Sequence, residues 1–167
     1  MKKSFVRTFA AVLLAGALAS LPALVSAAGS LESEIELLRS DVKTSKVEIV
    51  KEALKLDSAK SDAFWPVYRK YQLDLDKIGD KRIAMIKDYA ASYTSMTDVK
   101  AKALVKTALD LQSQRTGLLK KYYGQFEKVI GATEAAKLVQ VEHLIMAVID
   151  LQLAAEMPLI EKPAASN

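Results

Sequence analysis

From Asp57 to Tyr93, apolar residues return every three or four positions: Phe64, Tyr68, Tyr71, Leu75, Ile78, Met85 and Tyr89, with Val67, Ile83 and Ile86 beside them. That spacing follows one face of an α-helix. Asp57 predicts its N-cap, since a carboxylate there accepts from free amides of the first turn. Pro66 removes one backbone donor and predicts a bend in the opening turns. After a connection at Met96-Thr97-Asp98, with Thr97 as cap, a second stripe begins: Leu104, Ala108, Leu111, Leu118, Tyr122, Phe126 and Val129. It predicts a helix over about Asp98 to Ile130. Each helix spans roughly 50 Å at 1.5 Å per residue. Equal lengths and a short connection predict an antiparallel hairpin.

Two further segments flank the hairpin. Upstream, Leu37, Leu38, Val42, Val47, Ile49, Val50 and Leu54 form a loose stripe between Leu31 and Leu54, and Ser33 and Glu36 have capping-box spacing. A break is predicted between Asp41 and Ser45, with a firmer helix from Thr44. Downstream, Gly131 predicts a C-cap and Thr133 the next N-cap. The helix from Glu134 to about Glu156 carries Leu138, Val139, Val141, Leu144, Ile145, Ala147, Val148, Ile149, Leu151 and Leu153. Apolar on more than one face, it is predicted to be the most buried. Asp150 and Glu156 argue against a membrane span. Pro158 stops the helix, and 161–167 read as a flexible tail. No stretch alternates as a strand does. The prediction is an all-α, four-helix domain built on a long antiparallel hairpin.

The first 27 residues follow a different pattern. Lys2, Lys3 and Arg7 precede an apolar run from Phe9 to Val25, which closes on Val25-Ser26-Ala27. That is the three-part layout of a secretory signal, cleaved after Ala27 or Ala28. The expected organisation is a signal peptide at 1–27, one helical domain at 28–160 and the tail. The expected location is the periplasm, without stable membrane insertion after cleavage. Removing the leader changes the charge. The full chain carries 24 Lys and Arg against 20 Asp and Glu. Three of the cations and none of the acids lie in the leader, which leaves about +1. Bulk attraction to nucleic acid then disappears. Cysteine is absent, so neither disulfides nor thiolate metal sites are available.

His143 is the single histidine, too few for an imidazole metal site, and Glu142 beside it points to a different helix face. No nucleophile–base set and no glycine-rich phosphate loop can be assembled. The expectation is a protein that is not an enzyme and uses no metal or cofactor. Arg82 and Arg115 fall where the apolar repeats predict core. They are expected either to meet Glu142 or Asp150 of the last helix in a polar seam or to snorkel to the surface. Trp65 points away from the Phe64–Tyr68–Tyr71 face. Tyr122 and Tyr123 straddle two faces, so one ring is expected outside. Trp65 and Tyr123 are therefore the candidate contacts for a client or partner.

The helix starts carry a resemblance. Leu56-Asp57-Ser58-Ala59-Lys60, ahead of Phe64-Trp65-Pro66-Val67-Tyr68, and Ala132-Thr133-Glu134-Ala135-Ala136 stand where two Leu-Thr-x-x-Gln motifs would stand. Lys60 and Ala136 replace the motif glutamines, Asp57 replaces the first threonine and Ala132 the second leucine. With its size, its leader and its lack of cysteine, the chain resembles a divergent member of the Spy/CpxP-like, LTxxQ-motif periplasmic proteins over Thr44 to Leu159. The resemblance implies a cradle-like helical hairpin, alone or as a homodimer, that binds unfolded or envelope proteins during envelope stress. The expected function is an ATP-independent chaperone or stress adaptor. The alternative is a scaffolding subunit of an envelope complex without chaperone activity.

Overall fold

The computed structural model describes residues 44–160. The leader, its cleavage site, the capping box at Ser33 and Glu36, and the tail at 161–167 lie outside the described residues. Four α-helices and no strand occur among the described residues: α1 at 44–54, α2 at Ser58–Ser92, α3 at Asp98–Ile130 and α4 at Ala132–Glu156. The domain is all-α.

Both long helices start as the side chains dictate. Asp57 Oδ1 accepts from the Lys60 amide at 2.9 Å, and Thr97 Oγ1 accepts from the Lys100 amide at 3.2 Å. Each cap satisfies one of the four amides that a helix start leaves free. α2 runs on through Pro66 for 35 residues and α3 for 33. A single 3₁₀ turn at Tyr93–Ser95 precedes the reversal between them. Phe64 lies against Phe126, Tyr71 against Tyr122, and Lys81 against Gln114. As one partner advances the other retreats, so the hairpin is antiparallel.

Gly131 alone joins α3 to α4, at φ 87°. Its amide donates to the Glu127 carbonyl at 2.9 Å, and its own carbonyl accepts from Ala135 at 3.0 Å. One residue therefore closes one helix and opens the next, a backbone geometry that an L side chain rarely takes. A Cβ there would meet nothing within 4 Å, so the constraint lies in the backbone alone. This corrects the expectation for Thr133, which sits inside α4 rather than capping it.

α4 then returns along the hairpin, antiparallel to α3 and parallel to α2. The main core lies at the Gly131 end. Phe64, Tyr68 and Tyr71 of α2 interlock with Tyr122 and Phe126 of α3 at centroid distances of 5.5–6.3 Å. Leu138 and Ile145 of α4 and Val50 and Leu54 of α1 are buried as well. A smaller cluster of Tyr89, Met96 and Leu104 closes the hairpin tip, with Met157 packed on it.

The buried face of α3 differs from the expected stripe. Leu119 and Ile130 are buried, whereas Leu118 and Val129 are only half-buried and Ala108 is exposed. The stripe assumed one neighbour. α3 has two, and α4 alongside turns the buried arc toward itself. Arg115 already pairs with Asp150, near the end of α4. Beyond that level only the segment around Met157 remains, and Ala108 is left uncovered. α4 also departs from its expected burial. Leu144 keeps 38% and Leu151 71% of its surface exposed. α1, α2 and α3 cover one side of this helix, and nothing among the described residues covers the side that carries Leu144 and Leu151. The span Ala132–Ala155 is long and apolar enough to cross a membrane, by length and composition.

Candidate functional site

The polar seam divides into two knots along α4. The first surrounds Glu142, which is 1% exposed. Tyr68 Oη donates to Oε1 at 2.8 Å, Tyr71 Oη donates to Oε2 at 3.0 Å, and Lys46 Nζ of α1 lies 2.8 Å from Oε2. Three of the four helices meet at one carboxylate. Lys46 also stands over the Tyr71 ring, 5.5 Å from its centroid. A carboxylate this deep is tolerated only when its oxygens are paired. Here a cation and two hydroxyl donors supply that pairing. Burial, and then the Glu142 charge, push the Tyr68 and Tyr71 hydroxyls well above the usual phenol range. Both rings therefore act as hydrogen-bond donors and not as bases.

Eight residues further on, two turns of helix, stands Asp150. Arg82 Nη1 of α2 approaches Oδ1 at 2.7 Å, and Arg115 Nη2 of α3 approaches Oδ2 at 3.2 Å. Partial burial pushes the Asp150 carboxyl up, but hydrogen bonds from Arg115 and Arg82 outweigh it and hold the group below the usual carboxylate range. The seam predicted from Arg82, Arg115, Glu142 and Asp150 thus forms, with one correction. Both guanidiniums go to Asp150, and Glu142 takes Lys46. Helical phase sets this division, because Glu142 turns toward α1 and α2 while Asp150 faces the gap between the hairpin arms.

The sequence reading missed Lys46. Its signal was present, since Lys46, Val50 and Leu54 repeat every four residues and all three are buried. A lysine in phase with an apolar stripe calls for a buried anion. Also unanticipated is the Tyr122 hydroxyl, which donates to Asp74 Oδ2 at 2.9 Å. Hydrogen bonds from Lys77 and from Tyr122 lower the Asp74 carboxyl.

The two candidate contact rings are not free. Trp65 is half-buried, edge-on to Phe64 at 5.1 Å and to Tyr68 at 5.6 Å, and its Nε1 donates to Ser61 Oγ at 2.9 Å. Tyr123 is half-buried as well. Trp65 belongs to the rim of the aromatic core, because α2 places it one residue from Phe64 and three from Tyr68. His143 is exposed. No cluster of three or more His, Cys, Asp or Glu forms among the described residues.

A concave feature lies further along the hairpin. α2 and α3 frame an open groove of about 460 Å³. Met85, Leu104 and Leu111 form its apolar floor, and Lys81, Asp88 and Asp110 stand on its walls. Gln114 lines it and accepts from Lys81 Nζ at 3.3 Å, whereas Arg115, next in sequence, turns to Asp150 on α4. The groove and α4 therefore occupy different sides of α3. Open, shallow and lined by both charges, it offers contact area but no arrangement of nucleophile and base.

Comparisons with protein-family models, curated proteins and solved structures give no match to this chain.

Proposed function

We propose that this chain is an exported, periplasmic helical binding protein that holds unfolded or envelope proteins without ATP, in the manner its resemblance to the Spy/CpxP-like proteins implies. The leader at 1–27 supports export. The observation that carries the binding role is the mixed groove of the hairpin, with Met85, Leu104 and Leu111 below and Lys81, Asp88 and Asp110 beside them. Leu104 and Leu111 are buried, at 7% and 6% exposure, so the non-directional attraction to client side chains comes from Met85 and the exposed Ala84 and Ala103 beside it. Charges of both signs on the walls keep the contact hydrated and quickly reversible. Weak, broad contact of this kind suits a holding protein better than a stoichiometric inhibitor.

The test uses the mature chain from residue 28 with a chemically unfolded client at micromolar concentration. Light scattering without nucleotide should rise more slowly in its presence. Ala84 and Ala103 are exposed and line the groove. Placing Glu at both positions should obstruct the groove and cut protection several-fold while leaving the melting temperature unchanged. Absence of protection by the unmodified protein at several-fold molar excess would instead favour a scaffolding subunit.

A further inference from the structure

Lys46 fills a site that the rest of the bundle builds without it. Tyr68 holds Glu142 at Oε1 and Tyr71 holds it at Oε2, at 2.8 and 3.0 Å. These three groups come from α2 and α4 and are buried. What α1 adds is the cation. Lys46 Nζ stands 2.8 Å from Oε2 and 5.5 Å from the centroid of the Tyr71 ring. A carboxylate oriented by two hydroxyls, with the face of an aromatic ring beside it, is a receptor for an ammonium group, because the charge and the ring quadrupole attract the same cation. Neither hydroxyl bond passes through α1, so the receptor keeps its geometry when α1 leaves.

α1 itself is lightly held. Within 44–54 only Lys46, Val50 and Leu54 are buried. A helix this short is not stable in water on its own, so lifting it means melting it. Its junction with α2 is strained as well. Lys55 has φ 47°, and no other residue except glycine takes a positive φ among the described residues. Its amide closes α1 by donating to the Lys51 carbonyl at 3.0 Å. Glycine usually takes this left-handed place at a helix end, since a Cβ there crowds the backbone. Melting α1 releases that strain.

We propose that Glu142, Tyr68 and Tyr71 form a binding site for a lysine ammonium of a partner protein, and that α1 occupies the site as an internal ligand until the partner displaces it. The partner segment that fits is an amphipathic helix repeating the contacts of α1, a lysine followed by aliphatic residues four and eight positions on. Those two take the places of Val50 and Leu54. Arginine fits less well, because its fork calls for two carboxylate oxygens and the tyrosines already engage both. The site does not rest on the groove's role in client binding. Lys81, the first groove residue on α2, lies ten residues beyond Tyr71.

The probe is a fluorescently labelled peptide of residues 44–56, titrated into the mature chain and followed by anisotropy. Lys46→Ala removes the internal ammonium and should bind the peptide at least about tenfold more tightly than the unmodified chain, because an internal ligand lowers apparent affinity by the fraction of time it holds the site. Lys55→Gly relieves the junction, favours docked α1 and should weaken binding about fivefold. Lys46→Met in the peptide, or Glu142→Gln added to the Lys46→Ala protein, should each cost tenfold or more. Hydrogen exchange of the unmodified chain gives a readout that does not depend on any variant folding. Millimolar peptide should speed exchange of the amides of 44–54 and leave those of α3 unchanged. Peptide affinity equal in the unmodified chain and Lys46→Ala, no binding by folded Lys46→Ala, indifference to the lysine of the peptide, or unchanged exchange in 44–54 would overturn the proposal and leave Lys46–Glu142 a purely structural pair.

Discussion

Glu142→Gln separates charge pairing from shape at the centre of the bundle. Gln keeps the volume and one oxygen. Whichever way the amide turns, at least one tyrosine hydroxyl faces its NH2 and loses an acceptor, and the Lys46 ammonium loses its counter-charge. The Lys46 side chain is then left only 5% exposed. Breaking a buried pair from one side costs about 3–5 kcal/mol. An upper limit comes from α1 itself, which can lift away and hydrate the ammonium. Undocking forfeits mainly the burial of Val50 and Leu54, which are 0% and 4% exposed, at about 1.5–3 kcal/mol each. Both routes give a loss of at least about 3 kcal/mol, and the pair-breaking route caps it at about 5 kcal/mol, or a fall of about 10–20 °C in Tm for a domain of this size. Lys46→Met leaves the carboxylate with two hydroxyl donors and should cost less, about 1–2 kcal/mol. With both changes made, no buried charge remains. The double variant should then be more stable than the sum of the single losses implies, by at least about 1.5 kcal/mol. Urea unfolding at neutral pH, followed by circular dichroism and Trp65 fluorescence, measures all four proteins. Additive losses, or a Glu142→Gln loss under about 1 kcal/mol, would show that packing and not the ion pair holds α1 in place.

Two further outcomes concern pH. The Tyr68 and Tyr71 hydroxyls are raised above their ordinary value of 10.0, so above that pH the unfolded chain releases protons that the native fold retains. Their stabilising contribution is complete below pH 10 and falls as pH rises beyond it. Tyrosinate absorbance from these two rings should appear together with loss of helix, and free titration of both in the folded protein would refute the burial argument. The Asp150 carboxyl is lowered, so its contribution is present above the ordinary aspartate range and is lost as pH falls through the folded value. Asp150→Asn should therefore remove part of the acid sensitivity, with a modest stability loss of about 1 kcal/mol because the site is partly solvated, and an unchanged acid midpoint would count against the Arg82–Asp150–Arg115 bridge.

Local chemistry determined much of the secondary structure. Asp57, Thr97 and Gly131 marked helix ends because caps and positive φ are decided by a few adjacent atoms. The spacing of Phe64, Tyr68, Tyr71, Tyr122 and Phe126 set the facing sides of the hairpin, because side chains at that period share one face whatever packs on them. Arg82, Arg115, Glu142 and Asp150 stood out as polar residues on or beside apolar faces. Their partners did not, because pairing across α1, α2, α3 and α4 depends on how far each helix is rotated about its axis and how it is offset from its neighbours. That rotation sent both arginines to Asp150 and brought Lys46 to Glu142. It buried Leu119 and Ile130 in place of Leu118 and Val129, and drew Trp65 against Phe64 and Tyr68. It also left Leu144 and Leu151 uncovered on α4, since hydrophobicity along a chain records how much surface favours burial and only the arrangement of neighbours decides which of it is covered.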